Sequence, residues 1–114
     1  MEAKNAFGNG DVYIEKYIDA HFKEDITLDT LSELTFLNKY HIVHAFKQYK
    51  GISPINYMIQ KRLDEAKLLL STTNLQISEI SIIIGYTSQS YFAQDFKKAT
   101  GISPIQFRKN HSEQ

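Results

Sequence analysis

The stretch NKYHIVHAFKQYKGISP, Asn38 to Pro54, decides the fold, because the chain writes it again as SQSYFAQDFKKATGISP, Ser88 to Pro104. Aligned without gaps, Phe46 falls on Phe96, Lys47 on Lys97, and Gly51 to Ile55 on Gly101 to Ile105. A repeat at this spacing marks one supersecondary unit used twice.

Each copy ends in Gly-Ile-Ser-Pro-Ile, whose parts have separate physical jobs. Gly51 and Gly101 suit the left-handed position that stops a helix. Ser53 and Ser103 then cap the next helix, and Pro54 and Pro104 fit its first turn, where no amide hydrogen is missed. Gln106 stands at the capping-box distance from Ser103. Upstream of each stop, Ile42, Phe46 and Tyr49 in one copy and Phe92, Phe96 and Ala99 in the other recur at helical spacing and define an inward face. The outward faces carry Tyr40, Val43, His44 and Lys47, and Ser90, Ala93, Gln94 and Lys97.

A shorter amphipathic helix precedes each of these, Thr27 to Thr35 with Leu28, Leu31 and Leu34, and Gln76 to Ile84 with Ile77, Ile80 and Ile83. The β-branched run at Ile82 to Ile84 is assigned to helix because of this match. The short helices repeat at an offset of forty-nine and the long ones at fifty, so the second turn holds one extra residue, around Gly85 and Tyr86. Ser32 and Ser81 occupy equivalent places, where a small side chain lets the following helix approach. Two helices joined by such a turn make a helix-turn-helix.

The remaining segments fit around the pair. Asp11 to Lys23 reads as a first helix, striped by Val12, Ile14, Tyr17, Ile18 and Phe22. Pro54 to about Leu70 reads as a long linking helix, with Ile55, Ile59, Leu63, Ala66 and Leu70 on one face. Pro104 to Lys109 closes the chain. The expected organisation is a tail or linker remnant over 1–10, a first helix-turn-helix subdomain over 11–53, a linking helix over 54–71, a second subdomain over 72–110 and a tail over 111–114. The fold class is all-α, with about seven helices.

Among 114 residues there is no cysteine, which excludes disulfides, thiolate metal sites and thiol nucleophiles. No apolar run approaches a membrane span, and Met1 to Gly10 lacks the apolar core of a signal peptide, so the chain reads as soluble and cytoplasmic. The formal net charge is zero, with 13 basic and 13 acidic residues. Met1 to Phe36 holds three lysines against eight carboxylates, leaving ten basic and five acidic residues beyond it. A neutral total thus conceals a basic segment.

FKQYKGISPINYMIQKRLDEAKLLL, Phe46 to Leu70, and ISEISIIIGYTSQSYFAQDFKKATGISPIQFRK, Ile77 to Lys109, together resemble the DNA-binding domain of AraC/XylS-type bacterial transcription regulators. The resemblance runs from about Val12 to Lys109. It implies two helix-turn-helix subdomains on a rigid connecting helix, binding adjacent major grooves near promoters, and an activator with RNA polymerase as a partner. His44 and Gln94 stand where the family often has arginine, and Ser32 and Ser81 where alanine is commoner. The family's DNA-repair regulators use methyl-accepting cysteines, which this chain lacks.

In a helix-turn-helix the second helix enters the major groove with its outward residues on base edges. That geometry selects Lys39, Tyr40, Val43 and His44 in the first reader and Gln89, Ser90, Ala93 and Gln94 in the second. A glutamine can bond adenine through two hydrogen bonds, and Val43 or Ala93 can touch a thymine methyl. Lys47, Lys50, Lys97, Lys98, Arg108 and Lys109 suit phosphate. Asn38 and Ser88, at helix starts, combine capping with phosphate binding. Arg62 could meet phosphate, pair with Glu65 or cap a carbonyl.

A linking helix of about seventeen residues is roughly 25 Å long, against ~34 Å between successive major grooves on one DNA face. This mismatch implies an asymmetric site and bent DNA. His41 and His44 have a chelating spacing but no third ligand, and no catalytic constellation, cofactor loop or metal set is expected. The rival reading is a helical protein-interaction module without DNA binding, docking through the acidic first helix or the linking helix. A sensor is expected before Met1.

Overall fold

A computed structural model describes residues 10–111, which form seven α-helices and no strand. They are α1 (Gly10–His21), α2 (Leu28–Thr35), α3 (Lys39–Lys50), α4 (Pro54–Thr72), α5 (Ile77–Ile83), α6 (Gln89–Thr100) and α7 (Pro104–His111). The expected tails lie outside the described residues at 1–9 and 112–114. Gly10 and His111, assigned to those tails from sequence, instead begin α1 and end α7. No helix among the described residues is long and apolar enough to cross a membrane.

The repeated punctuation does the same work in both copies. Asn38 Oδ1 accepts from His41 N at 2.8 Å and Ser88 Oγ accepts from Tyr91 N at 3.2 Å, which starts α3 and α6. Gly51 and Gly101 stop them with φ of 89° and 88°, each donating its N–H to the carbonyl of Lys47 or Lys97 at 2.7 Å. A Cβ is disfavoured at that φ, so glycine fits the stop. Ser53 Oγ then accepts from Asn56 N at 3.2 Å and Ser103 Oγ from Gln106 N at 3.1 Å. Only half of the expected capping box follows, since Gln106 Nε2 reaches forward to Asn110 Oδ1 at 2.9 Å.

The second turn is longer by two residues, one from the offset of the repeats and one because α5 ends at Ile83, a residue before the equivalent of Thr35. Phe36 to Asn38 connect α2 to α3, whereas Ile84 to Ser88 connect α5 to α6. In the longer turn the left-handed residue is Gly85, with φ 104°; in the shorter it is Phe36, with φ 63° and 93% of its surface exposed. Ser32 Oγ donates to the Leu37 carbonyl at 2.6 Å, and its counterpart Ser81 is buried. Both small side chains thus sit where the turn folds back.

The chain divides into two compact units, Met1–Lys61 and Arg62–Gln114. In the first, Ile14, Ile18, Ile26, Leu31, Ile42, Phe46, Tyr57 and Met58 form a core, with Tyr17, Phe22, Leu28, Leu37, Ile52 and Ile55 packed against it. In the second, Leu63, Ala66, Leu70, Ile80, Ile84, Phe92 and Phe96 are buried. The equivalent pairs Leu31 and Ile80, Ile42 and Phe92, and Phe46 and Phe96 are all fully buried, so both copies use one register.

The third residue of each expected stripe departs from that register. Tyr49 and Ala99 are exposed, as are Leu34 and Ile83 in the short helices. All four stand in the last turn of their helices, beyond the buried pairs. Tyr49 instead donates its hydroxyl to Glu15 Oε1 of α1 at 2.5 Å, beside Lys50 Nζ on Glu15 Oε2 at 2.9 Å.

The hydrogen bond from Tyr49, and then that from Lys50, hold the Glu15 carboxyl below its ordinary pKa. A depressed folded-state pKa stabilises above the unfolded carboxylate range, and the contribution vanishes as pH falls through the folded value. Glu15→Gln is therefore expected to lower Tm near neutral pH by about 2–4 °C, a size suited to a pair near solvent. The gap from the parent chain should narrow as pH falls below the ordinary carboxylate range and through the lowered folded value. Thermal melts of both proteins between neutral and acid pH check this.

Candidate nucleic-acid interface

Burying Ile42 and Phe46 turns the opposite side of α3 to solvent. Lys39, Tyr40, His44 and Lys47 are exposed there, with Val43 half-buried between them. An open depression runs along this side, lined by Tyr40, His41, Val43, His44, Ala45, Lys47 and Gln48. Lys39 Nζ lies 2.7 Å from Asp29 Oδ1 of α2, yet its side chain stays 55% exposed. The Tyr40 and His44 rings lie with centroids 4.0 Å apart and planes tilted by 31°, and His44 Nδ1 lies 3.1 Å from the Tyr40 carbonyl oxygen. Such i, i+4 pairing is what one helix turn allows.

On α6 the burial of Phe92 and Phe96 does the same for Gln89, Ser90, Gln94, Lys97 and Lys98, with Ala93 half-buried. Each row stands on a helix capped at its start and stopped by glycine at its end. Tyr91, which sequence reasoning left out of the site, is 63% exposed beside Ser90 and Gln94. Its signal was an aromatic residue lacking a partner in the buried stripe.

The expected phosphate ligands differ in their surroundings. Lys47, Lys97, Lys98 and Lys109 are exposed and have no carboxylate partner among the described residues. Asn38 and Ser88 place their side-chain oxygens on backbone amides, as caps. Three cations are otherwise engaged. Lys50 binds Glu15 and lies over the Tyr57 ring at 5.3 Å. Arg108 donates Nε to the Leu70 carbonyl and Nη2 to the Thr73 carbonyl, each at 3.1 Å, closing the C-terminal end of α4. Arg62 is buried, its guanidinium 5.5 Å from the Tyr86 ring centroid. The aromatic face and the burial give the Arg62 guanidinium a setting unlike that of the exposed lysines.

Tyr86 carries that contact onto the reader, because its hydroxyl donates to Asp95 Oδ2 of α6 at 2.7 Å. Burial, followed by this hydrogen bond, raises the Tyr86 pKa, which keeps the phenol a donor. In the first unit Tyr57 donates in the same way to Asp19 Oδ1 of α1 at 2.6 Å. Among the described residues no group of three or more His, Asp or Glu could hold a metal ion.

Residues 31–110 match a family described as a helix-turn-helix domain. A probable AraC family transcriptional regulator from Rhodopseudomonas palustris superposes with a TM-score of 0.80 at 27% identity, covering 92% of this chain and 99% of that one. The chain belongs to the AraC/XylS family. It is the DNA-binding domain of a transcription regulator of that family.

The C-terminal domain of AraT, a response regulator from Geobacillus stearothermophilus, gives a TM-score of 0.88 at 35% identity over 92% of this chain and 88% of that one. The bifunctional transcriptional activator/DNA repair enzyme AdaA of Bacillus subtilis is 40% identical over 96 residues, 84% of this chain but 46% of the relative. The AraC/XylS-type chain therefore spans less than half the length of this curated relative. It contains no cysteine.

Proposed function

We propose that this AraC/XylS-type domain reads double-stranded DNA through α3 and α6, placed in adjacent major grooves, as part of a transcription activator. The observation that carries the proposal is the shared register. Matched aromatic and aliphatic residues are buried in both copies, while two unlike polar rows are left on the opposite faces. A common scaffold with divergent exposed rows suits two readings of different sequence.

Base contacts are assigned to Lys39, Tyr40, Val43 and His44 and to Gln89, Ser90, Ala93 and Gln94. Lys47, Lys97, Lys98 and Lys109 hold phosphates, and fix register without specifying sequence. The linking helix, 19 residues or about 28 Å at ~1.5 Å per residue, still falls below the ~34 Å between successive major grooves. This supports an asymmetric site with bent DNA, which a gel-mobility phasing assay tests. Straight DNA beneath two occupied grooves contradicts that part. RNA polymerase is the proposed partner of the activator, and ligand sensing is assigned to segments of the whole protein outside this domain.

The rival interaction module is disfavoured by where the acidic groups lie. Glu15 of α1 is held by Tyr49 and Lys50, and Asp19 by Tyr57 and Lys61, so neither is left to recruit a basic partner. Titration with random duplex separates the two readings. DNA binding requires an affinity that falls steeply with salt, by a logarithmic slope of about −0.9 per phosphate neutralised. No binding at low salt rejects the proposal.

A further inference from the structure

We propose that His44 is a specificity-determining residue whose Nε2 accepts a hydrogen bond from the amino group of adenine or cytosine, and that protonation reverses this preference. The inference rests on the DNA-reading function proposed above. It begins with the Tyr40 carbonyl, which has only lone pairs to offer. The His44 Nδ1 facing it at 3.1 Å must therefore carry the hydrogen. A neutral imidazole has one N–H, so Nε2 is then a lone-pair acceptor at the far edge of the ring. The tilted contact with the Tyr40 ring, centroids 4.0 Å apart, holds that ring in place on an exposed side chain.

In the major groove the donors on base edges are the adenine N6 and cytosine N4 amino groups, whereas guanine and thymine present acceptors at the corresponding positions. Neutral His44 therefore suits the amino bases. A second proton on the ring makes Nε2 a donor, which suits guanine or thymine.

Of the charged groups on the helices packed against α3, Glu15 of α1 is held by Tyr49 and Lys50, and Asp29 of α2 by Lys39. His44 has neither as a partner; the titratable groups nearest in sequence on its own helix are Tyr40, His41 and Lys47. The second reader has Ser90 and Gln94 at the equivalent places. An amide both donates and accepts at any pH, so the reversal is confined to the first reader. His111 provides a control away from the reading rows, since it shares the carbonyl contact, with Nδ1 2.9 Å from the Phe107 carbonyl oxygen, and its ring stacks on Phe107 at 3.9 Å.

The test is selection of bound duplexes from a random pool at pH 8 and pH 5.5 at constant ionic strength, followed by affinity measurements on the selected sequences. One position contacted by the first reader is expected to move from adenine or cytosine toward guanine or thymine. Relative affinity there should change by about tenfold, the scale of one charge-assisted hydrogen bond. His44→Gln should abolish the shift and hold the preference at adenine, whereas His111→Gln should leave the shift in place. A preference that ignores pH, or a shift that survives His44→Gln, overturns this inference alone. Absence of any duplex binding overturns it together with the DNA-reading function.

Discussion

Phe96→Ala is expected to remove about 3–5 kcal/mol of stability, the usual cost of deleting a fully buried aromatic ring. Phe96 is 0% exposed and meets Phe92 edge-on at 5.7 Å and Phe107 at 5.4 Å, so its loss empties a site ringed by aromatic neighbours. Such pairs add to simple area burial, which places the effect toward the upper part of that interval. Urea unfolding followed by far-ultraviolet circular dichroism measures it. Ala99→Ser, three residues on, is the comparison. The exposed Ala99 should tolerate serine within about 0.5 kcal/mol, the helix-propensity difference. A Phe96→Ala protein within 1 kcal/mol of the parent, a loss far below the range for buried rings, contradicts the shared register.

Gln94→Ala is expected to weaken binding to a selected site by about 1–3 kcal/mol, or roughly 5- to 150-fold, and to relax preference at one base pair. The reason is chemical: an amide offers adenine a donor and an acceptor together, and alanine offers neither. Lys97→Ala should behave differently, weakening all sequences alike and reducing the salt slope by about one. Arg108→Ala should leave the salt slope intact while lowering the unfolding midpoint, because its guanidinium closes α4 through two backbone carbonyls. Competition titrations at several salt concentrations distinguish the three. Equal loss on selected and random duplex for Gln94→Ala removes it from the base-reading set.

Local chemistry was legible in the chain before any coordinates. Gly51, Ser53 and Pro54, with their partners fifty residues on, act within one turn of themselves, so their jobs follow from their own backbone preferences. Phe36 was not legible, since an exposed aromatic at positive φ runs against those preferences; the short turn places it there. Nor were the fates of the cations. Lys50 is decided by Glu15, 35 residues away, and Arg108 by carbonyls 38 and 35 residues away. A charged residue on a polar face looks the same in sequence whether it faces phosphate or a distant carboxylate. Tyr49 and Ala99 followed helical period faithfully but stand in the last turn of their helices, where they are exposed.

Methylation interference on a duplex selected by this domain tests the two-reader account most directly. The account expects two clusters of interfering bases about one helical turn apart on an asymmetric site, with Gln89→Ala combined with Gln94→Ala erasing one cluster and leaving the other. A single cluster, or the joint disappearance of both in that variant, contradicts it.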